Sequence, residues 1–388
     1  MIKILYILHC TDPLAGSTKA IMPLLTSPAE GIRPVVILPD SEGIYAVLRK
    51  LPIHVYVLNY RDSCYPSIRS FKDALMFLPR CMGRCMINTD TYETVRRIIR
   101  EEFIDIVHTN TGVIRFGWHA ACEEHIPHIW HIREYAERIG YRFYPCAAWH
   151  RKELRQSYTI CVTKGVQDHY KLTGYARSTI IYDGVLPQAA RMPIGQKERY
   201  WLYAGRLERP KGIESLLRAY AAYAAKTDQP VELRIAGHAK PTYQAHLQAL
   251  AQQWHISSWV HFLGEREDII ELMHNAYAVV IPSLTEGFGF VMPEAQFAGS
   301  LVIARNIEGL KEQFEIGRQA QGQAIGLAFE NEEELSRLLT EVSEKGLTPY
   351  REMIEAGQRQ VLTTYSVESN YTQITDTYKR IYKQTHNG

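Results

Sequence analysis

Four charged side chains sit where short apolar runs give way to glycine-containing loops: Arg206, Lys211, Glu286 and Glu294. The first two belong to Tyr203-Ala204-Gly205-Arg206-Leu207-Glu208-Arg209-Pro210-Lys211-Gly212. An apolar strand is expected to end at Gly205 and a helix to begin near Gly212, which leaves Arg206 and Lys211 in the loop at the strand's carboxyl end. Two cations beside the positive end of a helix dipole suit a diphosphate. Arginine supplies a planar fork and lysine a point charge. Taken alone, the same residues equally describe a solvated basic loop punctuated by Pro210 and Gly212.

The two carboxylates belong to Pro282-Ser283-Leu284-Thr285-Glu286-Gly287-Phe288-Gly289-Phe290-Val291-Met292-Pro293-Glu294-Ala295. A strand over 278–281 runs into this loop, and Pro293 fits the first turn of a helix. Gly287 and Gly289 let backbone N–H groups approach a ligand closely. A carboxylate accepts hydrogen bonds from sugar hydroxyls. Singly, Glu294 also reads as a favourable helix-dipole charge and Glu286 as a loop acid. Both together, around a Gly-x-Gly loop at a strand end, are less ordinary.

The elements that must position these groups alternate along the chain. Strands are expected over 2–8, 34–38, 55–58, 104–108, 128–131, 159–162 and 179–182, apolar on both faces as parallel strands covered by helices are. Helical patterns such as 17–25, 44–50 and 91–102 lie between them. After a Pro- and Gly-containing stretch at 186–199 the rhythm restarts. Strands are expected at 200–204, 231–236, 260–263, 278–281 and 301–304, and helices at 212–225, 243–254 and around 293–298. The pattern is that of an α/β protein with two Rossmann-like domains, 1–188 and 189–365. Residues 366–384 form a further helical pattern, with Tyr371, Ile374, Tyr378 and Ile381 on one face. The segment 366–388 is expected to cross back to the first domain. Open parallel sheets bind ligands at the carboxyl ends of their strands, so two facing sheets imply a cleft.

Composition narrows the function classes. The 388 residues suit two domains, and 46% apolar with 22% charged residues describes a globular chain. The formal net charge of +2 argues against a nucleic-acid binder. It averages a basic first half, with 23 Lys and Arg against 18 Asp and Glu over residues 1–190, and a remainder with 21 against 24. The seven cysteines all lie in the first half, and their odd number fits reduced thiols and a cytoplasmic location. Cys81-Met-Gly-Arg-Cys85 lacks a second pair, which argues against zinc. No run reaches the length of a membrane span, and residues 2–8 read as a buried strand rather than a signal peptide core.

Glu286-x7-Glu294 after Pro282-Ser283, together with Gly205-Arg206-x4-Lys211-Gly212, resembles the retaining GT-B glycosyltransferases, specifically glycosyltransferase family 4. The link through Gly237, Phe262-Leu263-Gly264 and Pro282-Ser283 is similar to that family's donor domain. The resemblance implies a GT-B fold and transfer of a sugar from a nucleotide-sugar donor, of UDP or GDP type, to a glycan or lipid-linked acceptor. Arg206 and Lys211 would hold the diphosphate and stabilise its departing charge. Glu286 would contact the donor sugar and Glu294 the ribose. Backbone groups of Gly205, Gly287, Phe288 and Gly289 would line the donor, and Gly264-Glu265-Arg266 would lie against the base. The family needs no metal or other cofactor, and the sequence has no Asp-x-Asp pair. Two rivals share the cleft: a nucleotide-sugar epimerase or hydrolase, and a non-catalytic nucleotide-sugar-binding protein. A phosphorylase would need a marked pyridoxal-phosphate lysine, which is not seen.

In the first half, Ala15-Gly16-Ser17-Thr18-Lys19 resembles the family's glycine loop, with Gly16 beside the transferred sugar; an ordinary Ser/Thr helix cap reads the same residues. His131, in His128-Ile129-Trp130-His131-Ile132-Arg133-Glu134, resembles the family's first-domain histidine, and His128 competes with it. Arg133 and Glu134 are expected to pair or to face the acceptor. Tyr182-Asp183-Gly184-Val185 resembles a turn suited to positive φ. Residues 67–84 interleave Arg69, Lys72, Arg80 and Arg84 with Phe71, Leu75, Met76, Phe77 and Leu78. A core-facing helix with a solvated basic face is the plainer reading, and a weak peripheral contact with an anionic membrane the other.

Overall fold

The computed structural model describes residues 1–66, 68, 70–138, 140–143 and 146–386. The chain divides into two compact units: Met1–Asp183 with the terminal segment from Val367, and Gly184–Ser366. The first unit runs β1 (Ile2–Ile7), α1 (Gly16–Thr26), β2 (Ile32–Leu38), α2 (Tyr45–Leu48), β3 (His54–Val57), β4 (Cys64–Pro66), α3 (Phe71–Glu102), β5 (Ile106–Thr109), α4 (Phe116–Glu123), β6 (His128–Ile132), β7 (Tyr141–Phe143), α5 (Ala147–Arg155), β8 (Tyr158–Cys161), α6 (Lys164–His169) and β9 (Ser178–Ile180). Seven of its strands form a parallel sheet in the order β3-β2-β1-β5-β6-β8-β9, and β4 pairs with β7 as a separate antiparallel ribbon.

The second unit runs β10 (Tyr200–Ala204), α7 (Ile213–Ala224), β11 (Glu232–Ala236), α8 (Pro241–Gln253), β12 (Val260–Gly264), α9 (Ile269–Asn275), β13 (Ala278–Ile281), α10 (Val291–Phe297), β14 (Leu301–Arg305), α11 (Glu308–Gln321), β15 (Leu327–Phe329), α12 (Glu332–Lys345) and α13 (Arg351–Thr364). Its six strands are parallel, in the order β12-β11-β10-β13-β14-β15. The last helix, α14 (Val367–His386), belongs to the first unit.

Successive residues of each central strand serve opposite layers. On β1, Ile2, Ile4 and Tyr6 join one core while Leu5 and Ile7 join another. On β10, Trp201 and Tyr203 face one layer, and Tyr200, Leu202 and Ala204 the other. That two-sided burial is why the sequence shows continuous apolar runs instead of alternation. In each sheet the order reverses beside the first strand, at β1/β5 and at β10/β13. Loops leaving those carboxyl ends diverge and open a crevice, the place where such sheets bind ligands.

Two expectations for the first half change. The helical pattern at 91–102 and the basic stretch after 70 are one 32-residue helix, α3, which carries Pro79 inside it. Ser67 and Arg69 of that stretch lie outside the described residues. The helix is also not core-facing along its apolar stripe. Phe71, Leu75, Leu78, Met82 and Met86, spaced as one helical stripe, are 60–87% exposed. The inward side carries Phe77 against Tyr65, and Arg84, which donates to the carbonyl oxygens of Cys64 and Asp62 at 2.7 and 3.3 Å. A half-buried arginine satisfied by carbonyls replaces the apolar contact that the pattern suggested.

The terminal helix buries Ile374, Tyr378 and Ile381 in the core that also holds Ile4 and Tyr6. Tyr371 donates to the carbonyl of Ser27 and Asn370 to that of Tyr182. Ile374→Ala should therefore destabilise the protein by roughly 2–5 kcal/mol, as large-to-small core substitutions do. Urea unfolding of the full chain checks this, and a loss near zero would show that α14 is not part of that core.

Candidate functional site

The loops at the β10/β13 switch point bring together three of the predicted residues' neighbourhoods. β10 ends at Ala204, Gly205 continues it, and the loop turns through a short 3-10 segment, Arg209–Lys211, into α7. Gly212 has φ +69°, and a Cβ there would sit 2.0 Å from the Pro282 carbonyl oxygen. A glycine is needed on both counts, and its close approach carries Lys211 to the loop after β13. Lys211 Nζ is 2.6 Å from Glu286 Oε1, and the same oxygen accepts from Ser283 Oγ at 2.8 Å. Both charged side chains are mostly sheltered, 25% and 13% exposed, where an ion pair keeps more of its strength than at the surface.

Glu308 completes this group and escaped the sequence reading. Its Oε2 accepts from the backbone N–H of Glu286 at 2.7 Å and from Thr285 Oγ1 at 2.8 Å. Its φ of +41° is unusual for a residue with a side chain. The signal that could have found it is the one used for the other loops: an acid directly after an apolar strand, β14, at the start of a helix. Beyond it, Gln313 Nε2 donates to the Phe288 carbonyl at 2.6 Å. A Cβ on Gly289, at φ +91°, would meet Leu310 at 2.6 Å. The 286–289 loop is thus held from α11.

The remaining donor-side residues fall nearby or aside. Glu294 lies in the first turn of α10 and is buried. Phe288 is buried between Phe290 and Tyr365, with ring centroids at 5.3 and 5.5 Å, so its side chain is packing and only its backbone is available to a ligand. Gly287 lies between Glu286 and Phe288 on the same loop. Arg206 is 70% exposed and pairs with Glu208 at 3.2 Å instead of joining Lys211; such surface pairs cost little to break. The loop itself is pinned by Tyr203, whose hydroxyl donates to the Arg206 carbonyl at 2.8 Å. Arg266 is turned onto Asp268 through two contacts, at 2.8 and 2.5 Å.

In the first unit, the β1/β5 switch point holds Gly16 and a buried polar cluster around His131. Gly16 opens α1, whose N-cap is Ala15 without a side-chain cap; the Ser/Thr cap reading is not realised. Instead Asn110, just past β5, donates from Nδ2 to the Ser17 carbonyl at 3.0 Å. Asn110 Oδ1 accepts from Arg133 Nε and Nη2 at 3.2 and 3.0 Å. Arg133 Nη1 forms a short pair with Asp183 Oδ1. The Arg133 guanidinium thus turns away from the Glu134 carboxylate, which pairs with Arg133 only through its backbone N–H, donated to Oε2 at 3.1 Å. Glu134 Oε1 accepts from Gly112 N and Thr111 Oγ1 at 2.7 and 2.9 Å. Neither Asp183 nor Gly184 takes positive φ; Asp183 is there as the buried partner of Arg133, 1% exposed.

His131 is wholly buried on β6. Its Nδ1 is 3.2 Å from both His108 Nε2 and Arg133 Nη2. His108 Nδ1 is 2.6 Å from the hydroxyl of Tyr378. His128, the competitor, has both ring nitrogens committed, to Ser157 and Thr109 at 2.9 and 2.8 Å, and is a satisfied core residue. Burial pushes His108 down to about 3 and holds His128 and His131 well below the ordinary histidine range, with Arg133 adding to the effect on His108 and His131. Burial also lowers Arg133, to about 9, which leaves it cationic at neutral pH. Among the described residues no group of three or more His, Cys, Asp or Glu is arranged to hold a metal ion.

These histidines set a pH dependence. Their folded values lie below the unfolded value near 6.5, so the fold is favoured above that pH and loses stability as pH falls towards the folded values. Between pH 7 and 5.5 the unfolded chain takes up protons that the fold refuses, at up to about 1.4 kcal/mol per pH unit for each histidine. Urea midpoints of the full chain should fall over that interval. Equal midpoints would mean that these rings take up protons in the fold as readily as in the unfolded chain.

Residues 188–360 match the family model described as glycosyl transferases group 1. This stretch lies inside the second unit and is less than half of the chain. Over 146 residues the chain is 36% identical to a glycogen synthase of Mycobacterium tuberculosis, a match covering 36% of this chain and 34% of that one. Over 115 residues it is 36% identical to a D-inositol 3-phosphate glycosyltransferase of Corynebacterium urealyticum, covering 28% and 27%. The chain thus spans about a third or less of the length of the curated relatives it matches. Whole-chain likeness is to solved structures. Anabaena Alr3699/HepE in complex with UDP and glucose is 18% identical with TM-score 0.76, covering 98% of this chain and 100% of that one. Sucrose-phosphate synthase from Thermosynechococcus elongatus is 15% identical with TM-score 0.72, covering 99% and 100%. At these identities the likeness establishes the fold, two α/β parallel-sheet domains of the GT-B type.

Proposed function

We propose that this protein transfers a sugar, with retention of anomeric configuration and without a metal, from a UDP- or GDP-type nucleotide sugar to a hydroxyl of a glycan or lipid-linked acceptor. The observation that carries the reading is the Lys211–Glu286 pair with Ser283, held at the β10/β13 switch point inside the stretch that matches the family model. Lys211 has three N–H donors and gives one to Glu286; the others suit phosphate oxygens. Its fixed charge would stabilise the diphosphate as the sugar–phosphate bond breaks. Arg206, free to leave its surface pair, would add a second cation. Glu286 would take a sugar hydroxyl, Glu294 the ribose, and the backbone of Gly205, Gly287, Phe288 and Gly289 would line the donor.

Retention follows when the acceptor oxygen bonds the anomeric carbon on the face the diphosphate leaves. The acceptor's proton then passes to the departing phosphate oxygen. In this scheme Glu286 orients the sugar and is not a nucleophile. Lys211→Ala and Glu286→Ala should each reduce kcat by about 10²–10³-fold, the range seen when one preorganised charge-stabilising group is removed, with thermal unfolding little changed. Full activity in either variant would refute the assigned roles. Product analysis separates the rivals: nucleoside diphosphate released without a glycosylated acceptor marks a hydrolase, donor binding with no turnover a binding protein. A thermal-shift screen of UDP and GDP sugars identifies the donor through linkage.

The exposed stripe of α3 gives the acceptor side a surface. Phe71, Leu75, Leu78, Met82 and Met86 extend along about 22 Å of helix at 1.5 Å per residue, beside the exposed Lys72 and in the more basic half of the chain. An apolar stripe with cationic surroundings fits the interface of an anionic membrane. No helix among the described residues is long and apolar enough to cross one. The protein should float with phosphatidylglycerol-containing vesicles, and Leu75→Glu with Leu78→Glu should lower the partition constant by about 10³-fold, given about 2 kcal/mol for each buried leucine. No flotation at low salt, or flotation unaffected by the substitutions, would refute the contact.

A further inference from the structure

The hydrogen bonds around His131 admit one consistent set of proton positions. Arg133 is a guanidinium and can only donate. Its Nη2 points an N–H at His131 Nδ1 at 3.2 Å, so that nitrogen must present its lone pair. His108 Nε2 lies at the same 3.2 Å from the same nitrogen. Two lone pairs facing each other would repel, so His108 Nε2 carries a proton. His108 is neutral, so its Nδ1 is then an acceptor, and the Tyr378 hydroxyl at 2.6 Å donates to it. His131 is neutral as well and must carry its proton on Nε2. That atom is buried with no hydrogen-bond partner among the described residues; Asp183 Oδ1, at 4.0 Å, is beyond hydrogen-bond reach. A buried N–H without a partner is costly in a fold and calls for a reason.

We propose that Tyr378 and His108 are positioning residues that fix His131 as the Nε2–H tautomer, and that His131 thereby serves as a neutral hydrogen-bond donor to a substrate oxygen instead of a proton shuttle. The substrate role rests on the transfer function proposed above; the tautomer does not. Five segments of the first unit contribute to the arrangement. β5 supplies His108, the turn after β6 supplies Arg133, the turn after β9 supplies Asp183, and α14 supplies Tyr378. β1 supplies Tyr6, whose ring lies 5.3 Å from that of His108 and 6.2 Å from that of Tyr378. Arg133 is paired with Asp183, and its guanidinium, 3.2 Å from His131 Nδ1, adds to burial in keeping that ring neutral. The last helix of the chain thus orders a proton on a residue more than 200 positions earlier in the sequence.

NMR of the full chain labelled with ring-15N histidine reads the tautomer directly, because protonated and lone-pair ring nitrogens resonate far apart. His131 is assigned by the signals missing in His131→Asn. At pH 7 the native protein should show His131 and His108 both protonated on Nε2 and bare on Nδ1. Tyr378→Phe keeps the ring packed on Tyr6 and His108 and removes only the donor. It should turn the His131 signals into a tautomer mixture and lower kcat roughly tenfold, while KM for the nucleotide sugar moves less than about twofold. Adding His108→Gln should recover most of that loss. A glutamine amide nitrogen stands where Nε2 stood and donates without the phenol, a rescue that a merely structural tyrosine would not show. A native His131 protonated on Nδ1 or on both nitrogens overturns the proposal, as do unchanged His131 signals in folded Tyr378→Phe; should that variant not fold, the native spectrum decides. The expected tautomers in a protein that transfers no sugar would retire the transfer function and leave the relay standing. The wrong tautomer in an active enzyme would do the reverse.

Discussion

Parallel strands buried on both faces leave little room for charged side chains within the sheet. Tyr200–Ala204 of β10 and Ile106–Thr109 of β5 are buried at every position. Backbone groups are consumed in the ladders, and side chains on either side belong to the two cores. Charged groups are therefore driven to the loops at strand ends. The ends that diverge, beside β10 and beside β1, are the two places where such groups can gather without being covered by the next helix. Lys211, Glu286 and Glu308 collect at one, and Asn110, Arg133 and His131 at the other.

The two collections solve different problems. In the second unit the lysine and its carboxylates are partly solvated, and Arg206 is left on the surface. Arg206, so placed, can change partners at small cost, which suits a polyanionic ligand that arrives and departs. In the first unit the arginine and aspartate are sealed. Losing one partner of such a pair strands a buried charge, at a cost of about 3–5 kcal/mol, so the cluster acts as a rigid frame. Its product is a direction: a single N–H held in one orientation by groups from five segments of the chain.

Much of this was legible as local pattern. The strands of both sheets are apolar runs flanked by turn residues, and Lys211, Glu286 and Glu294 follow from placing charges at their carboxyl ends. What the pattern could not carry is the choice of partner across long stretches of chain. Glu308 caps the Glu286 loop from twenty-two residues away and adopts a backbone conformation that its residue type does not favour. Asp183 looks like a turn residue because its partner, Arg133, is fifty residues earlier. The helical readings at 67–84 and 91–102 left the stretch between them unassigned, and the apolar stripe of α3 is exposed because Arg84 and Phe77 take the inward face. Arg206 and Arg266 fit the motif and yet face acids two residues away, Glu208 and Asp268.

A neutral imidazole is the better choice if the reaction is the one proposed. As the sugar–phosphate bond lengthens, positive charge grows on the anomeric carbon and its ring oxygen, while negative charge grows on the phosphate. The cations belong with the phosphate, and under the proposed function Lys211 is the one assigned to it. A histidine that could become an imidazolium would set a mobile positive charge against the sugar and would lose its donor geometry whenever the proton moved. Burial, an adjacent guanidinium and a donor relay ending in Tyr378 all act against protonation. The separation of work is then electrostatic: charge that stabilises the leaving group comes from the unit with exchangeable partners, and uncharged orientation comes from the unit whose charges are locked in pairs.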